Sequence, residues 1–77
     1  MRLDKYLKVS RLIKRRTVAK EEIEAGKVLL NTKIAKASSE VNIGDQITLL
    51  KTNKSYEVVL ILQSATEEKA TSMYREL

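Results

Sequence analysis

Residues 16–31, RTVAKEEIEAGKVLLN, change their hydrophobic period part-way, and that change sets the fold class. Up to Ala25 the spacing is helical: Val18, Ala19, Glu22, Ile23 and Ala25 define one side, and Arg16 and Lys20, at i and i+4, lie on the other. Thr17 is a candidate cap for a helix near residues 16–25. Gly26 supplies the stop, because glycine takes a left-handed conformation without steric cost. Beyond it Val28, Leu29 and Leu30 form a short β-like run ending at the turn-prone pair Asn31-Thr32. Upstream, Leu3, Tyr6, Leu7 and Ser10 fall within about 100° of a helical wheel, with Arg2, Lys5 and Lys8 opposite. A short amphipathic helix over residues 2–10 is therefore expected. Between the two helices, residues 11–16 make a connector of about one turn that carries Arg11, Lys14, Arg15 and Arg16.

Downstream the helical period does not return until the tail. Residues 33–36 lead the chain outward, residues 37–42 are polar and loop-like, and Gly44-Asp45 marks a turn. Residues 46–50 and 56–62 read as two strands rich in Val, Ile, Leu and Tyr, with residues 52–55 as their hairpin loop. Residues 66–77 are a helix candidate, with Ala70, Met73, Tyr74 and Leu77 at helical spacing and Glu67-Glu68 where a helix N-terminus favours negative charge. The order is α-α-β, then a β-hairpin, then α, an α+β chain. Leu3, Leu7, Leu12, Val18, Ile23, Val28 and Leu30 are the expected core.

The 77 residues make one domain, with a small core and a narrow stability margin. A hydrophobic content of 43% is too high for a disordered basic tail. The absence of cysteine excludes a disulfide framework and a thiolate metal site, and the absence of histidine removes the commonest general base and zinc ligand. No paired carboxylates with a supporting base, Gly-rich phosphate loop or nucleophile constellation is visible, so neither an enzyme nor a cofactor or metal site is expected. The longest apolar stretch, residues 58–62, is too short to span a membrane, and the charged N-terminus lacks the apolar segment of a secretory signal. A cytoplasmic protein is the default expectation.

Charge is distributed unevenly. Residues 1–36 hold eleven cations and four anions, a net of +7, while residues 37–77 hold four cations and six anions, a net of −2. A basic face on a small domain is the electrostatic footprint of a polyanion binder, usually nucleic acid. A solvated charged helix face is the ordinary alternative, weakened here because few acids balance the cations. Asp4 is expected to orient a neighbouring lysine or arginine, Tyr6 to pack rather than stack on a base, and Lys51 and Lys54 to be solvated.

Four segments in order carry a family resemblance. Arg2-Leu3-Asp4-Lys5-Tyr6-Leu7 is followed by Arg16-Thr17-Val18-Ala19, then Gly26-Lys27-Val28-Leu29-Leu30-Asn31, then Lys36-Ala37-Ser38-Ser39 with Val41 and Gly44-Asp45-Gln46-Ile47. Together they resemble the S-four-type (αL) RNA-binding domain. The resemblance implies two N-terminal helices packed on a small antiparallel sheet with a short C-terminal helix. The core would span residues 1–50, with an appended strand and tail helix in residues 51–77. The basic connector and the free-standing length are similar to the RqcP-like group of ribosome-associated quality control factors. That group implies binding to large-subunit rRNA and peptidyl-tRNA on stalled subunits, as a monomer when free. It also implies support of C-terminal alanine tailing by the partner protein RqcH. The candidate RNA-contacting residues are Arg2, Lys5, Lys8, Arg11, Lys14, Arg15, Arg16, Thr17, Lys20 and Lys36. Arg2 and Arg16 stand foremost because both occupy motif positions, with pairing to Asp4 or Glu24 as their alternative role. At Thr32 the chain departs from the family's glycine. A β-branched residue resists positive φ, so another turn type is expected between Leu30 and Ile34.

Three other classes compete. A heat-shock-type large-subunit recycling factor would bind the same subunit without supporting tailing. A DNA-binding helix-turn-helix protein fits two short basic helices loosely, but its connector would be shorter. An RNA module appended to an enzyme such as a pseudouridine synthase would require this chain to be a fragment; Met1 and the extra hairpin and tail favour a stand-alone factor.

Overall fold

The computed structural model describes residues 1–77, and its order of elements follows the change of period at Gly26. Helices α1 (Leu3–Val9) and α2 (Arg16–Glu24) are followed by strands β1 (Val28–Leu30), β2 (Lys33–Ile34), β3 (Gln46–Leu49) and β4 (Lys54–Val58). Helix α3 (Glu67–Ala70) and strand β5 (Tyr74–Glu76) complete the chain. One antiparallel sheet runs in the order β2-β1-β3-β4-β5, with α1 lying against α2 and α2 reaching β1. No helix is long and apolar enough to cross a membrane.

The core follows the two periodicities. Leu3, Tyr6 and Leu7 of α1 and Ala19 and Ile23 of α2 meet Val28 of β1, Ile47 and Leu49 of β3, and Tyr56 and Val58 of β4. Alternate residues of β3 and β4 point inward, as a half-buried strand requires. Val18 is a correction: it is exposed, because the inward face of α2 is set by Ala19 and Ile23 at i and i+4. Leu12 and Leu30 are only partly buried at the margin of the core. Thr17 does not cap α2 either. The N-cap position is Arg15 in extended conformation, with no side-chain cap bond.

Helix α2 ends as its sequence requires. Gly26 adopts φ 76°, its N–H bonds the Ile23 carbonyl at 3.0 Å, and the Lys27 N–H reaches back to Glu22 at 3.0 Å. This paired closure satisfies carbonyls that the helix end would otherwise orphan. Helix α1 solves the opposite problem through the chain rather than through a side-chain cap. The Leu3 and Asp4 N–H groups donate to the Ser39 and Ala37 carbonyls at 2.8 and 3.2 Å, and Val41 N–H donates to the Met1 carbonyl at 2.8 Å. Residues 37–41 thus close over the start of α1 and fix its direction.

The β1–β2 turn overturns the expectation at Thr32. Asn31 and Thr32 take φ 52° and 72°, so the left-handed two-residue turn is retained without glycine. Pairing of Leu30 with Lys33 leaves only two residues for the loop, and strand twist selects a turn with positive φ at both. Asn31 is clamped: its side chain accepts from Gln46 N–H at 2.9 Å and donates to Asp45 at 3.0 Å. Tertiary contacts therefore override the preference of Thr32. We predict that Thr32→Gly stabilises the domain by about 1 kcal/mol, the left-handed cost of a side chain less the extra chain entropy of glycine. Urea unfolding of the two proteins measures the difference; equal midpoints would contradict it.

The second half departs further from its sequence reading. Strand β4 spans Lys54–Val58 rather than residues 56–62, and the hairpin loop is residues 50–53, with Asn53 at φ 56°. After Val58 the N–H groups of Val59 and Leu60 both turn to the Met73 carbonyl, at 2.8 and 3.1 Å, which takes the chain off the β3 edge. The tail forms one helical turn and a strand, not a helix through residue 77. Thr66 caps that turn by accepting from Lys69 N–H at 3.3 Å. The Thr71 and Ser72 hydroxyls then bond back to the Glu68 and Lys69 carbonyls at 2.8 and 2.6 Å, which competes with continuation of the helix. Tyr74 packs edge-on against Tyr56, with ring centroids 5.3 Å apart, and β5 pairs with β4. Ala70 and Met73 are fully buried, so the tail is part of the domain.

Candidate nucleic-acid interface

Cations become a surface only when something rigid carries them. Helix α1 ends at Ser10, and Arg11 takes the left-handed conformation at φ 63° that reverses the chain. Ile13 N–H bonds the Leu7 carbonyl at 3.1 Å, and Leu12 and Ile13 pack against the core. These two apolar anchors hold the connector down, and Arg11 before them and Lys14 and Arg15 after them are exposed. The hydrophobic anchors explain why so basic a connector is ordered.

Two hollows result. The first is lined by Lys5, Lys8 and Val9 of α1, Arg11 and Lys14 of the connector, Arg16 of α2, and residues 63–65. It holds five cations and no carboxylate. The second is lined by Arg2, Asp4, Arg16, Thr17 and Lys20. Arg16 borders both, so the two hollows are neighbours on one face. Arg15 and Lys36, also candidates, are exposed but line neither hollow.

Asp4 organises the second hollow. Its carboxylate is 2% exposed and accepts from Arg2 Nε and a terminal nitrogen, each at 3.3 Å, and from a terminal nitrogen of Arg16 at 3.5 Å, with Arg16 Nε in ion-pair contact at 3.4 Å. The Lys5 N–H donates to it at 2.8 Å. Asp4 thus pairs with both foremost arginines, and Glu24 with neither. Two guanidiniums share one anion, so the cluster keeps net positive charge. Each arginine side chain remains about half exposed, at 49% and 47%. Their planar forks are oriented rather than neutralised. The other cations of the face have no carboxylate partner, and Lys5 Nζ donates to Gln63 Oε1 at 2.7 Å. Lys51 and Lys54, away from the face, are exposed and approach Glu22 at 3.5 Å and Glu76 at 4.0 Å.

Burial alone would raise the Asp4 carboxyl, but the Arg16 hydrogen bond, the Lys5 N–H and the charges of Arg16 and Arg2 outweigh it and hold the group below its ordinary 3.8. A depressed folded value contributes stability that is complete above the unfolded value and lost as pH falls through the folded one. The stability difference between the wild type and Asp4→Asn should therefore be constant near neutrality and shrink as pH falls below 3.8. Urea unfolding of both proteins across that range reads it; a gap that widens on acidification would contradict the assignment.

Sequence reasoning missed residues 63–65, which wall the first hollow. Reading residues 56–62 as one strand carries Gln63 away from α1. The only local signal was a polar Gln63-Ser64 pair directly after an apolar run.

The basic α1–connector–α2 unit, the hairpin closed at Asn31-Thr32 and the Gly44 turn all lie within residues 1–47. A family model for the S4 domain matches residues 1–47, and the chain belongs to that family. Among individual proteins it is 46% identical, over 96% of its length and 86% of the relative's, to the RQC P-site tRNA stabilizing factor of Streptococcus pneumoniae. It is 47% identical to the protein of the same name from Bacillus subtilis, over 96% of this chain and 88% of that one. In three dimensions it is similar to Heat Shock Protein 15 of Vibrio cholerae, a trimeric structure, with a TM-score of 0.92 and 38% identity over all of this chain and 81% of the other. The likeness extends through the tail, beyond the family match.

Proposed function

We propose that this chain binds RNA on the large ribosomal subunit and steadies P-site tRNA during ribosome-associated quality control. The observation that carries the reading is the continuous cationic face of α1, the connector and α2, whose first hollow contains five cations and no acid. Folded RNA presents dense phosphates and a shallow minor groove, and a rigid basic face with exposed arginine forks complements both. The names of relatives that match 96% of the chain support the particular ribosomal role.

The finer reading is that it bridges large-subunit rRNA and peptidyl-tRNA and so supports RqcH-dependent alanine tailing of the stalled nascent chain. It acts by binding as a monomer in the cytoplasm and makes or breaks no bond in its partners. In cells lacking the protein, alanine tails on a stalled reporter should be lost and should return with the wild-type gene. Unaltered tails would exclude this reading.

A second reading is favoured by the fold likeness to Heat Shock Protein 15: recycling of free large subunits without tailing. The same tailing measurement separates the two. Competition between rRNA and duplex DNA tests the helix-turn-helix alternative, for which DNA would win.

A further inference from the structure

We infer that the first hollow is a seat for one ribonucleotide unit, in which Gln63 and Ser64 read the ribose while the cations hold the phosphate. The inference rests on the RNA-binding reading above. It concerns a wall that lies outside the S4 domain match, which ends at residue 47.

The hollow is chemically two-sided. Lys8, Arg11, Lys14 and Arg16 offer charge, which attracts phosphate on any nucleic acid and does not distinguish ribose from deoxyribose. Gln63 and Ser64 are neutral donors on the remaining side. The Lys5 ammonium can only donate, so it fixes the Gln63 oxygen at 2.7 Å and leaves the amide NH2 without an intramolecular partner. The Ser64 hydroxyl also has none, a state it shares with Ser38 outside the hollow, whereas the hydroxyls of Ser10, Ser39, Ser55 and Ser72 are engaged within the fold. Unused neutral hydrogen-bonding groups beside cations in the lining of a single hollow match a ribose 2′-hydroxyl beside its phosphate.

The wall is held firmly. Ile61, Leu62 and Ala65 pack against the core on either side of Gln63 and Ser64. The buried Tyr6 hydroxyl donates to the Met73 carbonyl at 2.6 Å, which ties the same tail to α1, the helix that carries Lys5 and Lys8. Both parts of the lining are therefore carried on packed elements, as a seat that reads a small group requires.

The test uses a synthetic RNA hairpin of large-subunit rRNA sequence and its 2′-fluoro counterpart. The counterpart keeps the phosphates and A-form geometry but removes the hydroxyl. The wild type should prefer the hydroxyl form by about three- to ten-fold, the worth of one or two neutral hydrogen bonds. Gln63→Ala/Ser64→Ala, at exposed positions and with an unchanged unfolding midpoint, should lose that preference and bind the 2′-fluoro form as the wild type does. Equal weakening toward both hairpins would overturn the inference, since Gln63 would then only position Lys5. A double variant that retains the preference would overturn it too. Failure of the wild type to bind either hairpin would remove the RNA-binding reading itself, and this inference with it.

Discussion

Arg11→Ala combined with Lys14→Ala is expected to weaken binding to large-subunit rRNA on the order of 100-fold, taking each side chain as one charge-assisted phosphate contact. Both residues line the acid-free hollow, both are exposed, and neither has a carboxylate partner in the fold. Their removal therefore forfeits no intramolecular hydrogen bond or ion pair, and the unfolding midpoint should stay in place. Arg2 and Arg16 give a less clean experiment. Each satisfies part of the buried Asp4 carboxylate, so their loss mixes affinity with stability. Each lost phosphate contact also releases one counterion fewer, so the slope of log affinity against log salt should fall by about two for the double variant. Affinity lost with an unchanged salt slope would mean that these side chains do not meet phosphates.

Tyr6→Ala is expected to destabilise the domain by about 3–5 kcal/mol, the cost of deleting a large buried aromatic. A chain of 77 residues has a total stability of roughly 4–12 kcal/mol, so the variant is left close to unfolding. Tyr6 is fully buried and its hydroxyl bonds the Met73 carbonyl 67 residues along the chain. That one side chain therefore holds α1, the sheet and the tail together. Tyr6→Phe isolates the hydroxyl and should cost only about 1 kcal/mol. The Met73 carbonyl still accepts from Val59 and Leu60 in that variant. Urea unfolding separates the two substitutions, and equal effects of Ala and Phe would contradict a packing role for the ring.

What could be read from the sequence depended on how far apart the cooperating residues lie. The end of α2 at Gly26 and the inward set Leu3, Tyr6 and Leu7 are local matters of backbone freedom and period, and both readings hold. The spacing of Ala70, Met73, Tyr74 and Leu77 fits a helix equally locally, yet it misled. Ala70 and Met73 are buried, but the Thr71 and Ser72 hydroxyls compete for helix carbonyls, and β4 offers Tyr74 a strand partner and an aromatic neighbour. At Thr32 a sound local preference gives way to pairing between Leu30 and Lys33 and to the Asn31 clamp. The face itself shows the same division. Its cations are plain in the first 36 residues. Asp4 gripping Arg16 from twelve positions away, and Gln63 meeting Lys5 across 58, are products of the fold alone.

The most direct test of the account is a structure of this protein bound to stalled large ribosomal subunits carrying peptidyl-tRNA. Arg11, Lys14 and Arg16 should lie within hydrogen-bond reach of RNA phosphates, with the α1–connector–α2 face turned toward rRNA and tRNA. A complex in which that face points to solvent, and the protein is held through its sheet or tail instead, would contradict it.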